Sequence, residues 1–342
     1  MNKEALKQLR IELTRKCNLE CRDCYNLQFK NLGEEISIRE ITSLIREALP
    51  LGLQKVSFSG GEPLIEYDKL KTLIEFSNSL GLETGLLTNA TLADDERVSE
   101  LEKLGLNWAR LSLDGSNQQV NSLTRGNSFD SALQGIKAFC RSGIYTVLRS
   151  TIHKQNAQDL DNIINLASQI GVSGLELQSY IILTKADINS KFDLPADLQE
   201  QLATKILRIK RERTGKPEIH ILSGWFEFLS PEFKPEAFSE DCYCLHPDFY
   251  RIEALHVDSF GNLRTCGCNS ISFGNIKTDS LEEVFFNNPQ IMALRTYDAS
   301  KYCPKCSYAS LCSPCPAPRA NIYGTLNAAN PNCPKVKKGE NK

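Results

Sequence analysis

The placement of cysteine constrains this chain more than any other feature. There are 13 cysteines in 342 residues. Cys17, Cys21 and Cys24 share one short segment, nine more lie between Cys242 and Cys333, and Cys140 stands alone. A small secreted protein uses such density for disulfides, but a chain this long buries a core of its own and needs no staples. The N-terminal stretch MNKEALKQLRIELTRKC has no apolar run ending in a small-residue cleavage site, so no signal peptide is read. Clustered thiols in a reducing compartment read as metal ligands, iron–sulfur first, and the expected location is cytoplasmic.

Charge and hydropathy narrow the class. Lys and Arg number 40 against 42 Asp and Glu, a balance that argues against a nucleic-acid partner held by a basic face. No stretch of 18 apolar residues occurs, so no membrane span is expected.

Hydrophobic periodicity predicts alternating strands and helices over the first ~180 residues. Residues 9–13, 56–58, 83–87, 108–113 and 145–151 read as strands, and a sixth begins at 175–177. Residues 36–49, 94–104, 129–140 and 160–170 read as helices, as does the stripe Leu70, Leu73, Ile74, Ser77 and Leu80. Ser37 and Glu40 have capping-box spacing. Right-handed crossovers make such a series a parallel sheet of the α/β class. Six units are too few for a closed eightfold barrel. A doubly wound sheet competes, but the chemically unusual residues all follow strands one to four, and barrel strand ends converge on one mouth. The expected fold is therefore a partial (β/α)6 barrel over residues 1–190. A bridging region with a surface helix at 195–210 follows over 191–240. A C-terminal cysteine-rich iron–sulfur domain fills 241–342, ending in a solvated tail, PKVKKGENK.

Cys17, Cys21 and Cys24 fall in the loop after the first strand. Three thiolates there can ligate three irons of a cubane and leave the fourth open, whereas structural zinc wants a fourth ligand nearby. After the second strand comes VSFSGGEPL. Gly60 and Gly61 let backbone approach a ligand closely, Glu62 adds a carboxylate that could meet an ammonium group, and Pro63 fixes the exit into the next helix.

The cysteine triad together with GGEP resembles the radical S-adenosylmethionine (radical SAM) superfamily. The resemblance implies that Cys17, Cys21 and Cys24 hold a [4Fe–4S] cluster whose open iron takes the methionyl group of S-adenosylmethionine. One electron then cleaves the cofactor, and the resulting deoxyadenosyl radical takes a hydrogen from the substrate. Cofactor contacts are expected from Gly60, Gly61, Glu62 and Pro63, and also from Asn89 after strand three. Ser112 and Asp114 at the end of strand four would face a ribose, and Arg149 in strand five the methionyl carboxylate. Arg125 and Gly126 are placed on a loop. Asp23 departs from the family, which usually has an aromatic residue or His before the third cysteine.

The C-terminal array resembles the SPASM extension found on many such enzymes, with two residues rather than the usual three between Cys312 and Cys315. Nine thiols exceed the four of one cubane and suffice for the eight of two. By resemblance, Cys303, Cys306, Cys312 and Cys333 bind an outer auxiliary cluster. Cys315 and Cys266 serve an inner one with two of Cys242, Cys244 and Cys268; Cys244 and then Cys242 are favoured, and Cys268 is the spare. Cys140, His153 and His220 read as packed residues, while His246 is a weak candidate base.

The implied activity is that of an oxidoreductase or maturase whose auxiliary clusters take the substrate electron. Its substrate would be a peptide or protein side chain; alternatively it would be a small molecule such as a sugar, nucleoside or tetrapyrrole carboxylate. A low-potential flavodoxin or ferredoxin is the expected donor. With the first strand starting near residue 9, no leader-binding module is expected. The reading from another class is an iron–sulfur electron carrier, which needs neither GGEP nor an open-iron triad.

Overall fold

A computed structural model describes residues 5–28, 33–222, 225–226, 229–231, 253–312 and 315–340. Cys242, Cys244 and His246 lie outside the described residues.

The first half follows the predicted alternation. Strands β1 (Gln8–Glu12), β2 (Lys55–Ser59), β3 (Glu83–Thr88), β4 (Trp108–Ser112), β5 (Tyr145–Ile152) and β6 (Gly174–Ser179) lie side by side in sequence order. Helix α1 (Ile38–Ala48) starts at the capping box of Ser37 and Glu40. Next along the chain come α2 (Tyr67–Ser79), α3 (Asp95–Lys103), α4 (Gln118–Arg125), α5 (Phe129–Arg141) and α6 (Leu160–Ile170). The α6 helix stops at Gly171, whose φ of +79° closes it in the left-handed region.

Two further parallel strands extend the row. After α7 (Ala196–Glu212), β7 (Glu218–Ile221) pairs with β6. From the cysteine-rich half, β8 (Ala254–Val257) pairs with β1. Among the described residues β7 and β8 do not pair with each other, so the barrel stays open. The hairpin strands β9 (Asn262–Arg264) and β10 (Gly274–Asn275) continue antiparallel from β8. PEIHIL, which falls in the expected bridging region, is thus partly a barrel strand, and the sheet runs on across the expected boundary near 241.

Register separates the two faces of this sheet. Leu9, Val56, Leu86, Ala109, Leu111, Leu148, Leu175, Ile219 and Leu255 fall on one face and join the helix-packed core. The alternate positions bear Arg10, Glu12, Ser57, Gly85, Arg110, Ser112, Arg149, Glu176, His220 and His256. A closed eightfold barrel fills its inside with branched apolar side chains; this inner wall is instead polar, as a ligand chamber requires.

The segment SLEEVFFNNPQIMALR is two helices, α8 (Leu281–Asn287) and α9 (Pro289–Arg295). Asn288 caps the second and Pro289 starts it. Beyond α10 (Pro316–Tyr323), the expected solvated tail begins as a docked helix, α11 (Pro334–Lys337). Lys337 Nζ donates to Asp193 Oδ1 at 2.6 Å and to the Leu194 carbonyl at 2.7 Å, and Lys338 pairs with Asp197 and Glu200. The correction has a simple cause: partly buried lysines find carboxylates on the bridging region.

Candidate functional site

The two loops at the C-terminal ends of β1 and β2 are stitched into one platform. The Gly61 N–H donates to the Thr14 carbonyl at 2.7 Å and the Glu62 N–H to the Lys16 carbonyl at 2.8 Å. A Cβ on Gly60 would lie 2.3 Å from the Thr14 carbonyl oxygen, and one on Gly61 would lie 2.1 Å from that of Lys16. The close approach that these glycines permit is therefore to the backbone leading into Cys17.

Glu62, the expected ammonium contact, is fully buried, and protein donors reach both of its oxygens. One carboxylate oxygen accepts from the Leu64 N–H at 3.0 Å and the Thr88 hydroxyl at 2.6 Å; the other accepts from the Asn89 N–H at 2.8 Å. Burial pushes this carboxyl above its usual range. Glu62 is a clamp from the glycine loop to the end of β3, and Pro63 begins the short turn after it. Asn89 carries the clamp onward: its amide donates to Asn18 Oδ1 at 3.0 Å and faces Cys17 Sγ at 3.9 Å.

The triad suits a cluster. Burial pushes Cys17, Cys21 and Cys24 up, Cys21 to about 12, and a bound metal would offset that cost by taking the place of the proton. No three His, Cys, Asp or Glu side chains among the described residues converge as a single-ion site. Structural zinc gathers four ligands at one ion, whereas a cubane gives each thiolate its own iron. The Leu19 N–H lies 3.4 Å from Cys17 Sγ, a donor of the kind that tunes cluster potential.

Beside the triad sits a buried charge group. Asp114 is inaccessible, and its carboxylate accepts from Arg125 Nε at 2.5 Å, the Thr151 N–H at 2.8 Å and the Thr124 hydroxyl at 3.2 Å. Protein donors thus reach both oxygens of the residue expected to face a ribose. Arg125 is the last residue of α4, not part of a loop. Asp23 is pushed up to about 6 by burial and by Asp114, with Arg125 opposing.

Ser112, Arg149, Glu176 and His220 share one rung of the inner wall. Arg149 binds Glu176 Oε2 through Nε and Nη2, both at 2.7 Å. Glu176 also accepts from Arg110 Nε at 2.5 Å. The two guanidinium groups hold its carboxyl below the usual range against the cost of burial. Sequence reasoning passed over Arg10, Glu12, Arg110, Glu176 and His256. The signal was present: a parallel strand covered on both faces reads as a continuous apolar run, whereas RIELT, ARLS and LELQS alternate.

The auxiliary thiols divide into two places. Cys303, Cys306, Cys312 and Cys333 line a single cavity with Tyr297, Ala309 and Val336. A four-thiol apolar lining fits a cubane with a complete protein ligand set. Cys266 and Cys268 flank Gly267, on which a Cβ would lie 2.7 Å from the Tyr25 ring. Their turn therefore abuts the residue after Cys24. The Tyr25 hydroxyl donates to Glu12 Oε1 at 3.0 Å, and His256 Nε2 meets the same oxygen at 2.9 Å. Asn321 of α10 donates to the Cys268 carbonyl at 2.8 Å, and Cys315 immediately precedes that helix. Cys140 is half-buried against the core, and His153 and His220 are buried.

Platform, polar chamber and thiol-lined cavity define a radical SAM barrel with an auxiliary cluster domain. Residues 11–167 match the Radical SAM superfamily and residues 244–316 match SPASM, an iron–sulfur cluster-binding domain; the chain belongs to the radical SAM superfamily and bears a SPASM extension. It is 32% identical over 210 residues to the Fe-coproporphyrin III synthase of Methanosarcina barkeri, a match spanning 60% of this chain and half of that protein. Its fold is that of Streptococcus suis SuiB bound to its precursor peptide SuiA (TM-score 0.74, 19% identity, 96% of this chain and 75% of that one). It is also that of anSMEcpe with bound AdoMet and Kp18Cys peptide (TM-score 0.76, 18% identity, 97% and 96%). No helix among the described residues is long and apolar enough to cross a membrane.

Proposed function

We propose that this protein is a radical SAM oxidoreductase that cleaves S-adenosylmethionine reductively and removes a hydrogen atom from its substrate. One observation carries this reading: the Cys17–Cys24 loop and the Gly60–Gly61 loop form one hydrogen-bonded platform at the mouth of a barrel whose inner wall is polar. Cys17, Cys21 and Cys24 would hold a [4Fe–4S] cluster, which when bound supplies the electron that breaks the sulfonium C–S bond. The glycine loop would seat the methionyl end, Asn89 and Ser112 would face the cofactor, and Arg149 would turn its guanidinium to the carboxylate. Glu62, Asp114 and Arg125 hold these elements in place.

Cys303, Cys306, Cys312 and Cys333 would carry one auxiliary cluster. Cys266, Cys315 and two of Cys242, Cys244 and Cys268 would carry the second. These clusters would pass the substrate electron outward, with a low-potential flavodoxin or ferredoxin as donor to the first.

Two substrate readings stand, each with its own support. A peptide or protein side chain is favoured by the shared fold with SuiB and anSMEcpe, whose structures hold peptides. A small molecule such as a tetrapyrrole carboxylate is favoured by the relative of higher identity, a coproporphyrin synthase. Anaerobic reconstitution and iron counting test the cofactor assignment. About 12 iron atoms per chain are expected, falling by about four when the triad is replaced. About four in the intact protein would overturn the auxiliary clusters.

A further inference from the structure

The inner wall contains a built cationic group of which the cofactor reading uses only Arg149. It begins at Gly85, where a Cβ would lie 2.1 Å from the Trp108 ring; the missing side chain gives the indole room to lie across β3. The Arg110 guanidinium stacks over that indole, 4.5 Å from its centroid. Glu176, buried on β6 at the rung of Arg149, then fixes Arg110 through Nε and Arg149 through Nε and Nη2.

One carboxylate thus holds two guanidinium groups, and the group keeps one net positive charge. Among the described residues, Nη1 and Nη2 of Arg110 make no protein hydrogen bond. The Arg110 side chain is 19% exposed, and its position alternates with Ala109 and Leu111 on the core face. It therefore opens to the chamber and not to the helices. A half-buried guanidinium whose two terminal nitrogens are unpartnered, with its plane fixed by an indole and its Nε by a carboxylate, is preorganised for a planar oxyanion.

We propose that Arg110, backed by Trp108 and Glu176, binds a carboxylate of the substrate, so that the chamber selects carboxylate-bearing substrates. This rests on the radical SAM reading and deepens it. A carboxylated small molecule and an acidic peptide share the recognised chemistry, and the arms of the test separate them.

Binding is measured anaerobically on the reconstituted full chain without turnover. The first probe is coproporphyrin III, followed by its fluorescence, against its tetramethyl ester. The second is a Glu-rich hexapeptide, followed by calorimetry, against its Gln counterpart. One of the two acids is expected to bind, its neutral counterpart at least about tenfold more weakly. Arg110→Gln should weaken the acid by a similar factor, with Arg110→Lys between the two. Salt should weaken binding to the parent more than to Arg110→Gln, a readout that loss of packing does not give. Equal binding of acid and neutral forms, no binding of either acid, or unaltered affinity in Arg110→Gln overturns the proposal. Release of 5′-deoxyadenosine by the reduced parent enzyme is scored separately. Its absence would defeat the radical SAM reading, whereas a failed charge comparison with that release intact defeats only the carboxylate seat.

Discussion

The Glu62 carboxylate accepts the Asn89 backbone N–H at 2.8 Å, and Asn89 in turn directs its amide toward Cys17. Through this pair, the glycine loop, the end of β3 and the cluster loop become one unit. Glu62→Gln replaces one acceptor oxygen with a donor that faces the Thr88 hydroxyl or the Asn89 N–H. A buried group left unpaired in this way costs about 1–3 kcal/mol. Anaerobic urea unfolding should show that loss, and iron should leave the variant faster than the parent under chelator. Unchanged stability would mean that the clamp contributes nothing.

Gly61→Ala tests the fit between the two loops. The added methyl would meet the carbonyl oxygens of Lys16 and Arg15 at 2.1 and 2.6 Å, and backbone cannot swing aside as a flexible side chain can. Gly171→Ala is the control, because its φ of +79° carries strain but its Cβ meets nothing within 4 Å. The control should cost about 1 kcal/mol. Gly61→Ala should cost several times that and lose iron from the triad, as read by melting temperature and iron per chain.

The repeating units were legible because core positions such as Ile41, Leu44, Ile45 and Ala48 recur at helical spacing. Strand segments such as KVSFS sit between turn residues. The cluster loop and GGEP were legible as residue types at set spacings. What the residues touch was not. Glu62 and Asp114 looked like ligand contacts because both are carboxylates at strand ends, yet their partners come from β3, α4 and β5. Only the folded arrangement brings those together. β7 and β8 escaped notice because four-residue strands give too short a pattern, and EIHI and ALHV each place a histidine on the inner wall.

His153 supplies a pH dependence. Burial pushes its imidazole down from 6.5 to about 4. The unfolded chain therefore binds a proton that the folded chain refuses between those values. Its contribution to stability is full above about pH 6.5 and is lost as pH falls toward 4. Unfolding midpoints of parent and His153→Asn, compared at pH 7 and pH 5, should show a smaller acid decline in the variant. Equal declines would contradict the assignment of a neutral buried imidazole.

Cys312→Ala removes one thiol from the four that line the outer cavity. Iron should fall by about four atoms per chain, while the spectroscopic signal of the reduced triad cluster and its change on adding S-adenosylmethionine stay as in the parent. Loss of that change would mean that the cavity and the barrel mouth are not separate sites.

The most direct measurement is the release of 5′-deoxyadenosine from S-adenosylmethionine by anaerobic, reduced enzyme, in the parent and in a variant with Cys17, Cys21 and Cys24 all replaced by Ala. The account predicts release by the parent and none by the variant. Release that survives loss of all three thiols, or a fully iron-loaded parent that leaves the cofactor intact, would contradict it.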